Sequence, residues 1–197
     1  MTPVPEQTQT YLDTLLADRV VDVEFLSDTT DRYQRRIGTI WLRDGLPRVD
    51  LHERLLEAGL VQVYPYPDAI ARLSRWLAVE DAARSGAAGL WGEYETRLRD
   101  VDPDVLIQDL GTIQVVEGRV TDVAVLASGR VYLNFGSDYR TDFTVRLEAE
   151  SAPDFADHLG DLSDLHQRRI RVRGVIRDEN GPMIIPSNPL RLEVLDD

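Results

Sequence analysis

The stretch 27–42, "SDTTDRYQRRIGTIWL", decides how the first half of the chain is read. Its front end is an acidic, hydroxyl-rich turn; its back end alternates apolar and small residues and is β-branched, so 35–42 reads as a strand. Arg35 and Arg36 stand at the junction. An arginine opening a strand is either solvated charge or a planar fork that pairs two phosphate oxygens at once.

Working outward, "RVVDVEFL" (19–26) alternates and reads as the preceding strand, with "SDTTD" (27–31) as the turn. Upstream, residues 6–18 place Tyr11, Leu12, Leu15 and Leu16 on one helical stripe, with Pro5 suited to the first turn. Downstream, "RDGLP" (43–47) carries the Asp-Gly hairpin signal. "VDLHERLLEAGL" (49–60) is a short helix stopped at Gly59. "VQVYPYP" (61–67) is extended, and "DAIARLSRWLAVEDAARSG" (68–86) is the clearest helix, with Asp68 as its N-cap.

The pattern breaks at 99–112, "RDVDPDVLIQDLGT", where acidic residues and a proline predict a linker. Beyond it the chain is β-rich. Strands are expected at 113–127, 130–136 and 142–148, a helix at 152–165, and strands at 168–177 and 183–195, with Glu179-Asn180-Gly181 as a hairpin turn. Three strands, a helix and two strands is the order of an OB-type barrel. The expected organisation is therefore residues 1–95, a linker at 96–112, and a second domain at 113–197.

Composition narrows the function. The chain has 197 residues and a net charge of −13, and all 22 basic residues are arginine. Non-specific nucleic-acid binding draws its affinity from phosphate neutralisation, so a nucleic-acid partner would need a local arginine patch against an acidic background. No run approaches the roughly 18 apolar residues of a membrane span, and no membrane partner is expected. The N-terminus as written is not a secretory signal, which makes the expected compartment cytoplasmic unless an upstream start encodes an export signal. Cysteine is absent, which removes disulfide and thiol chemistry. His52, His158 and His166 are isolated and lack metal-ligand spacing.

Four motifs, in order, resemble the staphylococcal-nuclease (thermonuclease) family over roughly residues 5–92: "PEQTQTYLDTLLADRVVDVEF", "DRYQRRIGTIW", "LHERLLEAGLVQVYPY" and "EDAARSGAAGLW". The resemblance implies an α+β fold: an incomplete nuclease-type barrel with its helices, followed by a second small OB-like β-barrel. It also implies calcium-dependent hydrolysis of nucleic-acid phosphodiesters, in which a calcium ion and a pair of arginines stabilise charge on phosphorus and a glutamate helps activate water. Carried over by position, Arg35 matches one of the two active-site arginines. Arg32 and Tyr33 match the neighbouring nucleotide-contacting pair, and Tyr64 and Tyr66 the aromatic pair flanking the nucleotide. The family's glycine before the arginine is Gln34 here.

The family's calcium aspartates, second arginine and glutamate precede its first helix, where this sequence begins. The resemblance therefore implies an N-terminally truncated active site and no metal ligands in this chain. Calcium is expected only if a missing N-terminal part exists. The alternative is a non-catalytic module that binds nucleic acid or protein. A truncated barrel would also leave apolar residues such as Val21, Val23, Phe25, Ile37 and Trp41 uncovered beside a free sheet edge. Dimerisation, or an N-terminal segment, is expected to cover them. In the second domain, Arg169, Arg171, Arg173 and Arg177 fall on one strand face if no bulge intervenes. They are a candidate anion stripe for weak single-strand binding, or the solvated face of a sheet. Tyr132 and Asn134 alternate with Leu133 and Phe135, so at least one of the aromatics Tyr132, Phe135, Tyr139 and Phe143 belongs in the core.

Overall fold

The computed structural model describes residues 6–30, 34–43, 48–65, 70–92 and 98–195. It divides into two compact units, Met1–Arg97 and Leu98–Asp197. The fold class is α+β in both.

In the first unit, helix α1 (Glu6–Leu16) leads into strands β1 (Val21–Thr30), β2 (Arg36–Leu42) and the short β3 (Val49–Asp50). These make one antiparallel sheet in that order. Strand β1 runs into the segment expected as a turn; after a register shift past Phe25, Thr30 pairs with Arg36. Register sorts the side chains. Val21, Val23 and Phe25 oppose Leu42, Ile40 and Gly38 on one face, while Asp22 and Glu24 oppose Trp41 and Thr39 on the other. Ile37 and Trp41 therefore do not share a face with Val21, Val23 and Phe25, contrary to expectation. Tyr11, Leu12, Leu15 and Leu16 of α1 pack with Val21, Ile40 and buried Leu42. Val23 and Phe25 remain 47% and 45% exposed.

Helix α2 (Leu51–Glu57) begins two residues later than expected because Asp50 is its N-cap, accepting from the His52 backbone N–H at 2.8 Å. It ends at Gly59, whose φ of +66° is the left-handed conformation a C-cap needs. A Cβ there would lie 2.0 Å from the Ala88 carbonyl oxygen, so the residue is glycine for space as well. Helix α3 (Ile70–Ser85) runs on to a 3-10 turn, Gly89–Gly92, whose Leu90 N–H donates to Gly59 O. This contact is why the Gly-Leu pairs at 59 and 89 occur together. The hairpin turn expected at 43–47 and the cap at Asp68 fall largely outside the described residues.

The second unit starts earlier than the sequence implies. Residues 98–112, expected as a linker, are built into it. Arg99 bridges Val116 and holds Asp109 at 2.6 Å. Asp102 caps helix α4 (Pro103–Leu106), and Leu106 is fully buried. The proline read as a break is the N1 residue of a capped turn.

Strands β4 (Ile113–Arg119), β5 (Asp122–Val125), β6 (Val131–Asn134) and β7 (Thr144–Leu147) precede helix α5 (Ala152–Leu159). Strands β8 (Arg169–Val175), β9 (Arg177–Asp178), β10 (Pro182–Ile184) and β11 (Leu192–Leu195) follow. They form two sheets, β5-β6-β7-β10-β9 and β11-β8-β4. The chain crosses between them at Val120–Thr121 and again at Ile176. The expected three strands, helix and two strands are thus present, but the strands expected at 113–127, 168–177 and 183–195 are each divided between the two sheets, as β4 and β5, β8 and β9, and β10 and β11. Phe143, Phe155, Leu133, Leu147, Ile170 and Ile184 fill the space inside.

Candidate nucleic-acid interface

Gln34, where a glycine was expected, still takes a left-handed φ of +62°. The turn it makes delivers Arg35 to the exposed head of β2. Arg36 is not simply solvated: its guanidinium lies 3.5 Å from the centroid of the Phe25 ring. Tyr64 sits on the extended segment after α2 and is 52% exposed. Its position is set one residue earlier, where buried Glu80 of α3 accepts from the Val63 N–H at 2.9 Å. Arg32, Tyr33 and Tyr66 lie outside the described residues.

Between β2, α2 and α3 is a cavity of about 270 Å³, lined by Gly38, Thr39, His52, Tyr64 and Trp76 among others. Asp50 organises its wall. Besides capping α2, it contacts His52 Nδ1 at 3.0 Å and accepts from Trp76 Nε1 at 3.2 Å. Burial works to raise the Asp50 carboxyl, but the His52 and Trp76 hydrogen bonds outweigh it and leave the group below its ordinary value. An Asp at 50 with Glu53 three residues on is a helix-start pattern the sequence carried; its role as a hub for His52 and Trp76 needed the third dimension.

The face of the sheet that carries Asp22, Glu24, Thr39 and Trp41 bears a network of charges. Arg43 bonds Asp22. Arg72 donates to Thr39 Oγ1 at 2.6 Å and to Glu24 at 3.2 Å, and lies 4.7 Å over the Trp41 ring. The Arg43 hydrogen bond holds Asp22 below the usual carboxylate range, and the bond from Trp41 does the same for Glu24, helped by Arg72. Among the described residues, no three acidic or histidine side chains gather in a group that could hold a metal ion.

The candidate anion stripe of the second unit is a ladder of ion pairs. Arg169, Arg171 and Arg173 do share a face of β8, but Glu117 of β4 and Glu193 of β11 flank them. Arg169 and Arg171 both reach Glu117, the latter at 3.1 Å. Arg173 is buried and meets Glu193 at 3.1 Å, which also stands 3.7 Å from Arg171. Arg177 lies past the corner at Ile176, in β9 of the other sheet. Phe135 and Phe143 are core residues, 5.0 Å apart between ring centroids, whereas Tyr132 and Tyr139 line a surface cleft. The sequence alternation set Tyr132 apart from Leu133 and Phe135 but could not show that Tyr132 and Tyr139 line one cleft.

Residues 5–93 match the family described as Staphylococcal nuclease homologue. No curated protein matches the chain. Among solved structures, the chain is similar to OBody AM1L10 bound to hen egg-white lysozyme. The identity is 18%, covering 46% of this chain and 84% of that one, with a TM-score of 0.34. It is similar to OBody AM3L09 bound to hen egg-white lysozyme at 16% identity, covering 45% and 86%, also with a TM-score of 0.34.

Proposed function

Residues 5–93 form a staphylococcal nuclease-like domain, and from that premise we propose that the chain binds the phosphodiester backbone of a nucleic-acid strand, with Arg35 as the phosphate contact and Tyr64 as the nucleotide-packing ring. The observation that carries this reading is the exposed Arg35 at the head of β2, presented by the left-handed turn at Gln34; the motif resemblance is what matches it to an active-site arginine of the family. A guanidinium suits the task because its rigid fork pairs two phosphate oxygens. An exposed tyrosine ring supports stacking that tolerates any base.

Calcium is the ion the family implies. In the described sheet, Asp22 and Glu24 are the carboxylates of β1 nearest in register to β2, and both are engaged by Arg43 or by Trp41 and Arg72. These residues do not fit a calcium site, so the proposal is binding and no hydrolytic step is derived. The chain's net charge of −13 keeps affinity low and strongly salt-dependent.

The test is fluorescence anisotropy of labelled oligo(dT) at low salt, for the wild type, Arg35→Ala and Tyr64→Ala. Weak binding that falls about threefold or more in each variant is expected. Binding unchanged in both would overturn the assignment. A parallel arm with calcium looks for cleavage; turnover that vanishes in Arg35→Ala would replace the binding reading with hydrolysis.

A further inference from the structure

A second site lies on the outer face of the five-stranded sheet, and it is independent of Arg35. Register aligns Asp122, Asn134, Thr144 and Met183 in one row across β5, β6, β7 and β10. Residues opposite one another in such a row stand side by side on one face. Tyr132, one pair along in β6, and Tyr139, from the β6–β7 connection, stand over this row. Together they line a cleft of about 370 Å³, near the lower end of volumes that hold a small ligand.

The cleft has a built polar floor. Asn134 is 8% exposed and its side chain is fixed from both ends: Oδ1 accepts from Thr144 Oγ1 at 3.3 Å and Nδ2 donates to Asp122 Oδ2 at 3.4 Å. Met183 is buried beside it and supplies apolar surface. Asp122 is the one charged residue of the lining. Elsewhere in this unit Glu117, Glu193, Glu148 and Asp109 each hold an arginine. Among the described residues, Asp122 is bonded only to the neutral Asn134 amide. Tyr139 is 58% exposed, and the Arg140 guanidinium already lies 5.2 Å from the centroid of its ring. The ring thus accepts a cation on its face.

We propose that this cleft binds an organic cation with an apolar stem, a guanidinium or ammonium group such as an arginine side chain or a free diamine carries. The stem lies along Met183 and Ala124, the charged head bonds the Asp122 carboxylate, and Tyr132 and Tyr139 flank it as cation–π partners. A phosphate or a polyanionic strand is disfavoured, because the one charge among the described lining residues is negative, while Arg177 and Arg146 stand outside the lining. The acidic background of the chain instead draws cations toward the cleft.

Isothermal titration calorimetry on the full chain tests this with three probes: agmatine, N-acetyl-arginine-methylamide, and the neutral isostere N-acetyl-citrulline-methylamide. Either arginine-type probe is expected to bind at least about tenfold more tightly than the citrulline probe, since a hydrogen bond to a charged partner is worth roughly that much. Asp122→Asn should remove the preference, and Tyr139→Leu should weaken binding about threefold. Binding of agmatine alone assigns the source as a free amine, and binding of the blocked amino acid as well assigns a peptide; both support the proposal. It is overturned by equal affinity for arginine and citrulline probes, by binding that survives both substitutions, or by no binding of any cation. Tyr139→Leu-sensitive binding of oligo(dT) or maltotriose without cation binding would also overturn it.

Discussion

Asp50 shows how one side chain ties stability to the candidate interface. It caps α2, orients His52, and holds Trp76 at the wall of the cavity beside Tyr64. Replacing it with alanine removes a cap and leaves a half-buried indole N–H without its acceptor, so Asp50→Ala should lower the stability of the first unit by about 1–3 kcal/mol. Urea denaturation followed by tryptophan fluorescence measures this, because Trp41, Trp76 and Trp91 are the chain's three tryptophans and all lie in that unit. The pH dependence has a definite sign. The folded carboxyl sits below its ordinary value of 3.8, so its contribution is fully present above that pH and is lost as pH falls through the folded value. Asp50→Asn should therefore show a shallower loss of urea midpoint below about pH 4 than the wild type. Parallel profiles would mean that the Asp50 hub contributes no pH-linked stability.

At the scale of elements, the arginines offered either as an anion stripe or as a solvated sheet face stand on β8 in a ladder of ion pairs. Arg171 and Arg173 are tied to Glu117 and Glu193 on the flanking strands. Reversing both charges, Arg171→Glu with Arg173→Glu, would place four carboxylates together, the one at 173 in a buried position. The expected result is a second unit destabilised by about 3–5 kcal/mol, or one that fails to fold, with oligo(dT) affinity unchanged in any soluble fraction. Amide hydrogen exchange on β8 reads the first outcome; anisotropy reads the second. The alternation in "RRIRVRGVIR" disclosed the shared face of the arginines but not the glutamates, which lie about twenty and fifty residues away in sequence. The corner between β4 and β5 did leave a trace: the apolar positions shift phase from Val116 and Val120 to Val123 and Val125, a change that a single continuous strand would not make. The limit met at β8 explains 98–112, where Asp102 and Pro103 look like a break although they start a capped turn. Arg35 and Tyr64 were singled out because a motif carries them, and their roles are those proposed above. The cleft over Asn134 was not legible, because it exists only once four strands are in register.

At the scale of the molecule, the two units are stabilised unequally. The second encloses Phe143, Phe155, Leu133, Leu147, Ile170 and Ile184 between two sheets, with α5 and the 98–112 segment contributing Phe155 and Leu106. The first rests on a three-stranded sheet whose β1 is an edge strand and whose Val23 and Phe25 stay about half exposed. A sheet of three strands gains independent stability only from what packs on it, and here α1 covers one end of that face while the side chains nearer the β1 bulge remain open. Unfolding free energy follows the apolar area removed from water, so the first unit should unfold at lower urea than the second. Tryptophan fluorescence reports the first unit alone, and amide exchange on β4 and β8 reports the second. The expected result is a fluorescence midpoint reached while β4 and β8 amides are still protected. Coincident loss of both signals would show that the open face of β1 costs the first unit no stability relative to the second.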